Sequence, residues 1–218
     1  MNVLRQMPST TEAPGLASRA LLPRAVVIGA SAGAVEALLH ILPQLPAGFP
    51  VPVLVVVHLP ADRPNTMVDL FAARCRLRVK EAEDKEEPVA GTVYFAPPDY
   101  HLQVEPDGTL SLSSDEPVHY SRPAIDVLFE SAADALGDGA TGIILSGANA
   151  DGAAGLQRLT AAGGMALVQE PDTAAALAMP RAALAACPGA GVLKPAEIPA
   201  FLKMKFPTAL LCDQRASG

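Results

Sequence analysis

Ser31 stands in the pattern Gly-x-Ser-x-Gly, which Gly29 and Gly33 complete, between an apolar β-branched run and a helix-forming segment. The pattern predicts a strand, a sharp turn and a helix. Glycine lacks a Cβ, so Gly29 and Gly33 can adopt the backbone of such a turn, which leaves Ser31 exposed at the carboxyl end of the strand. A serine in that position can act as a nucleophile or can simply cap the helix, and these five residues leave both interpretations open.

A nucleophilic serine needs a base, and a histidine base needs a carboxylate to orient it. His58 ends the apolar run 51–57, and Asp151 lies in the loop after the apolar run 142–146. The carboxyl ends of parallel strands meet at one edge of a sheet, where ligands bind. We therefore expect Ser31, His58 and Asp151 to converge there as nucleophile, base and orienting carboxylate.

Each of these residues also has a purely structural interpretation. His58 fits a hydrogen-bonded residue at the end of a strand, and Asp151 stands where it could cap the helix that begins after Gly152. Three independent coincidences would be needed to bring the three side chains to the same edge, which favours the catalytic interpretation. Asp99 and Asp126 remain open as alternative carboxylates.

Apolar runs that alternate with segments of helical periodicity predict an α/β fold with a doubly wound, mainly parallel sheet flanked by helices. The run 51–57 is continuously apolar, as expected of a strand covered on both faces. Further strands are predicted over 77–82, 142–146 and 165–169, and helices over 35–42, 65–74, 125–136, 153–162, 182–186 and 198–205.

Short strands over 92–96, 102–105 and 110–112, with a turn signal at 106–108, predict an antiparallel hairpin excursion over about 92–112. The remaining histidines are weaker candidates for the base because of where they lie. His40 falls within a predicted helix, and His101 and His119 fall in the hairpin excursion and at its exit.

The composition predicts one globular domain of 218 residues with net charge −7 and 50% hydrophobic residues. The absence of a basic run argues against nucleic-acid or anionic-membrane partners. The three cysteines show neither disulfide nor zinc spacing, which favours a reducing cytoplasm and no metal. No secretory signal or membrane span is predicted. We expect a disordered arm over 1–22, the domain over 23–206 and a tail over 207–218.

Two common α/β folds do not fit the order of these residues. A dinucleotide-binding turn would have glycine in place of Ser31 and an acidic residue in place of His58. An α/β-hydrolase runs serine, acid, histidine, and no histidine follows His119 in this chain.

Several blocks in order, from about residue 23 to 201, resemble the catalytic domain of the chemotaxis protein-glutamate methylesterases of the CheB type. The blocks are VIGASAG (27–33), VVHLP (56–60), VYFAPPDYHL (93–102), SRPAID (121–126), LSG (145–147), DGAAG (151–155) and AMPRA (178–182).

The resemblance implies a doubly wound α/β domain that hydrolyses glutamyl methyl esters on the cytoplasmic helices of methyl-accepting chemoreceptors, or on a similar methylated protein. It also implies deamidation of receptor glutamines, no metal or organic cofactor, and no insertion into a membrane. Ser31, His58 and Asp151 fall on the family's triad positions.

The chain departs from the family pattern after the serine, at Ala32 and Ala34, and before the aspartate, where Ala148 and Asn149 replace Met-Gly. We expect Ala32, Ala148 and Asn149 to form the loops that support the oxyanion site. A displaced backbone donor there would reduce turnover.

Two further residues, Arg122 and Met179, are predicted on the substrate side of the site. Arg122 could instead be a surface residue that pairs with Asp126. Family members that act in chemotaxis also carry an N-terminal receiver domain. Residues 1–22 are too few to form one, so we expect no control by that route.

Two other functions stay open. The altered loop at Ala148 and Asn149 is compatible with a catalytically weak interaction module that keeps the fold. An esterase that acts on a small molecule or on a sensory protein outside chemotaxis is the other alternative.

Overall fold

The structure is a computed structural model, and it describes residues 24–58 and 66–208. The predicted N-terminal arm over 1–22 and most of the predicted C-terminal tail lie outside the described residues. Within the described ranges, no helix has the length and apolar composition that crossing a bilayer requires.

A seven-stranded parallel sheet forms the centre of the domain, in the order β3-β4-β2-β1-β7-β8-β9. A separate antiparallel pair is formed by β5 and β6. The strands are β1 Ala25–Ala30, β2 Val53–Val57, β3 Arg78–Glu81, β4 Thr92–Phe95, β5 His101–Val104, β6 Leu110–Ser113, β7 Ala140–Ile144, β8 Met165–Gln169 and β9 Gly191–Leu193.

Helices cover both faces of the sheet. Successive side chains along a strand point to opposite faces, so each central strand contributes to both cores. On β1, Val27 packs into one core and Val26 and Ile28 into the other. The helices are α1 Ala34–Ile41, α2 Thr66–Ala72, α3 Ile125–Leu136, α4 Ala153–Ala161, α5 Ala178–Ala186 and α6 Ile198–Lys205. Side chains of α3, α4, α5 and the β5–β6 hairpin form the first core, and those of α1, α2 and α6 form the second.

The predicted doubly wound, mainly parallel sheet is confirmed. The antiparallel excursion is shorter than predicted, because β4 pairs in parallel with β2 and β3. Val93 and Phe95 pack into one core and Tyr94 into the other, so both faces of β4 are covered. Of the strands in residues 24–58 and 66–208, only β5 and β6 pair in the antiparallel sense.

Two elements near the C-terminal end of the domain also differ from the prediction. The short edge strand β9 was not expected, and α5 begins four residues earlier than the predicted residue 182. Pro180 lies in the first turn of α5, where its missing N–H costs no helical hydrogen bond.

Candidate active site

Ser31 and His58 follow adjacent parallel strands in the same register. Ala30, the last residue of β1, pairs with Val57, the last residue of β2. The His58 N–H donates to the Ala30 carbonyl at 3.2 Å, and the Ser31 N–H donates across to the Ser146 carbonyl, after β7, at 2.9 Å. Since β1 lies between β2 and β7, where the strand order reverses, Ser31 occupies the switch point at which doubly wound sheets bind ligands.

The turn after Ser31 depends on a glycine. Gly33 has φ +83°, and a Cβ there would lie 2.7 Å from the Ala175 Cβ and 2.8 Å from the Ser146 Oγ. The Ser146 hydroxyl donates to the Ala32 carbonyl at 2.6 Å and accepts the Ala176 N–H at 2.9 Å. Ser146 therefore holds the turn of the candidate nucleophile against the loop that precedes α5.

His58 and Asp151 are in direct polar contact. The His58 Nε2 lies 2.7 Å from the Asp151 Oδ2, with 11% of the histidine side chain exposed and none of the aspartate. A carboxylate accepts, so this contact assigns the proton to Nε2 and leaves the lone pair on Nδ1. The tautomer is the one that a base acting through Nδ1 requires.

The N-terminus of α3 stabilises the charge of Asp151. The Ile125 N–H donates to its Oδ2 at 2.7 Å, and the Asp126 N–H donates to its Oδ1 at 3.0 Å. Burial alone would raise the pKa of the Asp151 carboxyl, but the hydrogen bonds from His58, Ile125 and Asp126 outweigh burial and hold that pKa below its usual range. Asp151 is therefore an ionised, fixed partner for His58.

Ser31 and His58 are not joined by a hydrogen bond between their side chains in this structure. Among the described residues, the Ser31 hydroxyl has no hydrogen-bond partner, whereas the His58–Asp151 contact is complete. Catalytic hydrogen bonds are often long without substrate and tighten when it binds. The two residues follow strand ends that pair directly, Ala30 with Val57.

The side chains of the alternative carboxylates have other partners. The Asp99 Oδ1 accepts from the Arg122 Nε and Nη2 at 2.9 and 2.7 Å. The Asp126 Oδ2 lies 3.2 Å from the His119 Nε2. Of the three candidate aspartates, Asp151 is the one that contacts His58.

Arg122 binds within its own segment. Besides Asp99, its guanidinium donates to the carbonyls of Ser114 and Asp115 at 2.8 and 3.0 Å. Among the described residues, it pairs with neither Asp126 nor Asp151. These contacts support a role in fixing the segment that leads to α3 more than one in binding substrate.

The loop after β7 carries the residues predicted to support the oxyanion. Ala148 is exposed, and the Asn149 Oδ1 accepts the Asp151 N–H at 3.3 Å. Met179, predicted on the substrate side, is 1% exposed and packs against Gly147, whose carbonyl accepts the Met179 N–H at 2.9 Å. The burial of Met179 therefore favours a role in holding this loop over contact with substrate.

Sequence analysis overlooked Ser146 and Gln169 as supports of the site. The Gln169 Oε1 accepts the Ser146 N–H at 2.9 Å, and the Gln169 Nε2 donates to the Thr173 carbonyl at 3.1 Å. Each of the two residues ends or follows an apolar strand, as His58 does. A polar residue at a strand end was the signal that could have identified them.

One cluster offers metal-ligand atoms, those of His119, Asp126 and Asp151, which lie within 4.8 Å of one another. N–H groups already point at both carboxylates, from Ile125 and Asp126 to Asp151 and from Gly155 to Asp126. A cation would have to compete with these donors. The donor arrangement suits two carboxylates that cap helices better than a metal ion.

Cavities also lie away from the triad in the described part of the chain. One of about 480 Å³ lies between α3 and the β5–β6 hairpin and is lined by polar residues that include Gln103, Glu130 and Arg158. A smaller one, of about 150 Å³, lies beside Gly33 and Ser146. Neither is lined by Ser31, His58 or Asp151.

Residues 26–202 match the family model of the CheB methylesterase. A protein of Leptospira interrogans is 48% identical over 162 residues, which are 74% of this chain and 84% of that protein. A protein-glutamate methylesterase/protein-glutamine glutaminase of Chromohalobacter salexigens is 37% identical over 203 residues, 92% of this chain and 57% of that enzyme. The crystal structure of the Thermotoga maritima CheB methylesterase catalytic domain matches with a TM-score of 0.80 and 32% identity, over 84% of this chain and 98% of that domain.

Proposed function

The chain belongs to the CheB methylesterase family, and on that premise we propose that it hydrolyses glutamyl methyl esters through Ser31, His58 and Asp151. Relatives that bear the name protein-glutamate methylesterase/protein-glutamine glutaminase support this reaction class. The observation that carries the proposal is the 2.7 Å contact between the His58 Nε2 and the buried Asp151, next to Ser31 at the same sheet edge.

The proposed reaction begins when His58 takes the Ser31 proton and Ser31 attacks the ester carbonyl. Asp151 holds the histidine and stabilises the imidazolium that forms. The imidazolium then gives its proton to the departing methanol, and a water molecule releases the glutamate from Ser31 by the same steps. An amide carbonyl would follow the same course with ammonia as the leaving group, which accounts for deamidation of glutamine.

The negative oxygen of the tetrahedral intermediate needs N–H donors that are already in place. The candidates are the N–H of Ala32, which follows the nucleophile, and the loop that contains Ala148 and Asn149. Ser146 supports this assignment, because its hydroxyl binds the Ala32 carbonyl and its carbonyl accepts the Ser31 N–H, on either side of the peptide that carries the Ala32 N–H. Arg122 and Met179 act in this proposal by holding the surrounding segments.

The proposed substrate is a methylated glutamate on a cytoplasmic helix of a methyl-accepting chemoreceptor, or on a similar methylated protein in the cytoplasm. The acidic chain, with net charge −7, argues against nucleic acid as a partner. The reaction needs no metal or organic cofactor, because serine, histidine and aspartate provide its nucleophile and both proton transfers.

The test is methanol release from a methylated chemoreceptor fragment. We expect wild type and Ser113→Ala, a matched serine on β6, to release methanol, and Ser31→Ala to lose activity by a factor of at least about 10³. Equal release by wild type and Ser31→Ala would refute the proposed nucleophile.

Two alternatives to receptor methylesterase activity make different predictions for these experiments. Ala148 and Asn149 stand where the family has Met-Gly, so a catalytically weak interaction module that keeps the fold predicts receptor binding without methanol release. An esterase with another substrate predicts that Ser31 reacts with a serine-directed probe while the receptor ester stays intact.

A further inference from the structure

Asp126 and Asp151 hold the N-termini of each other's helices. Asp151, in the loop before α4, accepts the N–H groups of Ile125 and Asp126 at the start of α3, at 2.7 and 3.0 Å. Asp126, in the first turn of α3, accepts the Gly155 N–H in the first turn of α4 at 2.7 Å. Two buried carboxylates, 4% and 0% exposed, therefore lie side by side.

The surroundings shift the pKa values of the two carboxyls in opposite directions. Burial raises the pKa of the Asp126 carboxyl above its usual range; the Gly155 N–H and His119 oppose this rise, and the charge of Asp151 adds to it. The pKa of the Asp151 carboxyl is held low, as described above. Such divergence between paired carboxyls is typical of sites where each has a distinct role.

His119 connects Asp126 to solvent. It lies in a tight turn in which the backbones of Val118 and Ser121 exchange hydrogen bonds of 3.2 and 2.9 Å. His119 and Tyr120 have φ of 50° and 61° at the tip of this turn. The His119 side chain is 52% exposed, and its Nε2 lies 3.2 Å from the Asp126 Oδ2. A continuous series of contacts thus runs from His119 through Asp126 and Asp151 to His58.

We propose that Asp126 is a positioning residue that orients Asp151 and adds its negative charge to it, and that His119 modulates this charge from the surface. The inference rests on the proposed function of the triad. Asp126 is not a hydrogen-bond partner of Ser31 or His58, so its effect passes through Asp151. Its charge favours the imidazolium form of His58, and a positive His119 partly offsets that charge.

Few other charges act on Asp126. Within α3, Glu130 follows one turn later and carries the same sign, and Arg158 of α4 and Asp134 act on Glu130 in opposite directions. From the loop before α4, Asp151 acts on Asp126, and His119 acts on it from the surface turn. His58 contacts Asp151 and not Asp126. A substitution at Asp126 therefore changes one charge directly beside Asp151 and leaves the remaining groups in place.

The test follows the rate at which a fluorophosphonate labels Ser31 as a function of pH, since labelling also needs His58 as a base. Asp126→Asn preserves the shape of the side chain and the acceptor for the Gly155 N–H. On the acidic side of the profile the labelling rate falls as His58 becomes protonated, and we call this part of the curve the acidic limb. We expect the acidic limb of Asp126→Asn to lie at lower pH than that of wild type by about half a unit or more. Asp134→Asn is the matched control, because Asp134 joins the same two helices through Arg158 at 2.6 Å, on the surface. Its acidic limb should stay with that of wild type.

A purely structural Asp126 would lower the labelling rate without moving the limb, and that result would overturn the proposal. If Asp126→Asn does not fold, His119→Gln provides the test, because a half-exposed histidine can be replaced without disturbing the core. Its limb must move relative to His40→Gln, the control at an exposed histidine in α1. An unmoved limb in His119→Gln also refutes the proposal. Failure of the proposed function looks different: wild type shows no labelling of Ser31 if Ser31 is not a nucleophile, and shows labelling without methanol release from the receptor fragment if the substrate is another ester.

Discussion

The Ser146 hydroxyl donates to the Ala32 carbonyl at 2.6 Å, although 114 residues separate the two in the chain. This bond fixes the peptide unit between Ala32 and Gly33, in the turn after the proposed nucleophile, against the loop after β7. The same hydroxyl also accepts the Ala176 N–H, so Ser146 joins three segments at the sheet edge.

Ser146→Ala should lower both stability and turnover. The loss of two buried hydrogen bonds should reduce the free energy of unfolding by about 1–2 kcal/mol. Movement of the Ala32 peptide should reduce turnover roughly ten- to a hundredfold. Ser131→Ala is the control, because the Ser131 hydroxyl also donates to a carbonyl and accepts an N–H, at α3 and β5. Thermal unfolding should detect both variants, and methanol release should fall in Ser146→Ala alone. Equal turnover in the two would refute a role of Ser146 in the site.

Gly33→Ala should destabilise the domain more than Gly108→Ala. Both glycines have positive φ, +83° and +89°, so alanine carries a conformational cost of about 1–2 kcal/mol at either position. A Cβ at Gly33 also meets Ala175 and Ser146, whereas a Cβ at Gly108 meets open space. Chemical denaturation should show an additional loss of about 1–3 kcal/mol in Gly33→Ala. If the two variants lose the same stability, the packing around Gly33 is looser than described.

Asp151→Asn should change how stability depends on pH. Folding lowers the pKa of the Asp151 carboxyl, so its contribution to stability is present above the unfolded pKa, about 3.9, and is lost as the pH falls through the lower folded value. At neutral pH we expect the variant to be less stable by about 1–3 kcal/mol. Denaturation from pH 7 to pH 2 should show this difference shrinking below about pH 4. A difference that is constant with pH would contradict the assigned charge of Asp151.

The double substitution Ala148→Met with Asn149→Gly should raise turnover with little change in KM. A displaced oxyanion donor loses transition-state stabilisation without weakening substrate binding. The gain should stay below the roughly 10²–10³-fold effect of a whole donor. Ala148→Met alone is the control, because it keeps the Asn149 Oδ1 that accepts the Asp151 N–H. A folded double variant with no gain would mean that the native loop is already competent.

The sequence identified the edge of the sheet well because the relevant strands are continuous apolar runs that end at a polar residue. Val53–Val57 is buried along its whole length and His58 follows it, so the strand end and the candidate base are visible together. The parallel pairing of β4 was not visible, because four residues do not reveal whether one or both of their faces are covered. That depends on α2 and α3, which contact opposite sides of the sheet.

The mutual capping of α3 and α4 could not be predicted from the sequence either. Asp126 and Asp151 each precede or open a helix, and sequence reasoning assigns such a residue to its own helix. Here each binds the N-terminus of the other helix, a choice made by the packing of α3 against α4. The same holds for Arg122, whose partner Asp99 lies 23 residues away and was proposed as a triad carboxylate instead.

The central claim is that Ser31 is a nucleophile activated by His58, and mass spectrometry of the protein after reaction with a fluorophosphonate tests it most directly. We predict one adduct, on the peptide that contains Ser31, its loss in Ser31→Ala, and a labelling rate at least about 100-fold lower in His58→Gln. Ser113→Ala should react like wild type. An adduct that persists in Ser31→Ala, or a rate that His58→Gln leaves unchanged, would contradict the account.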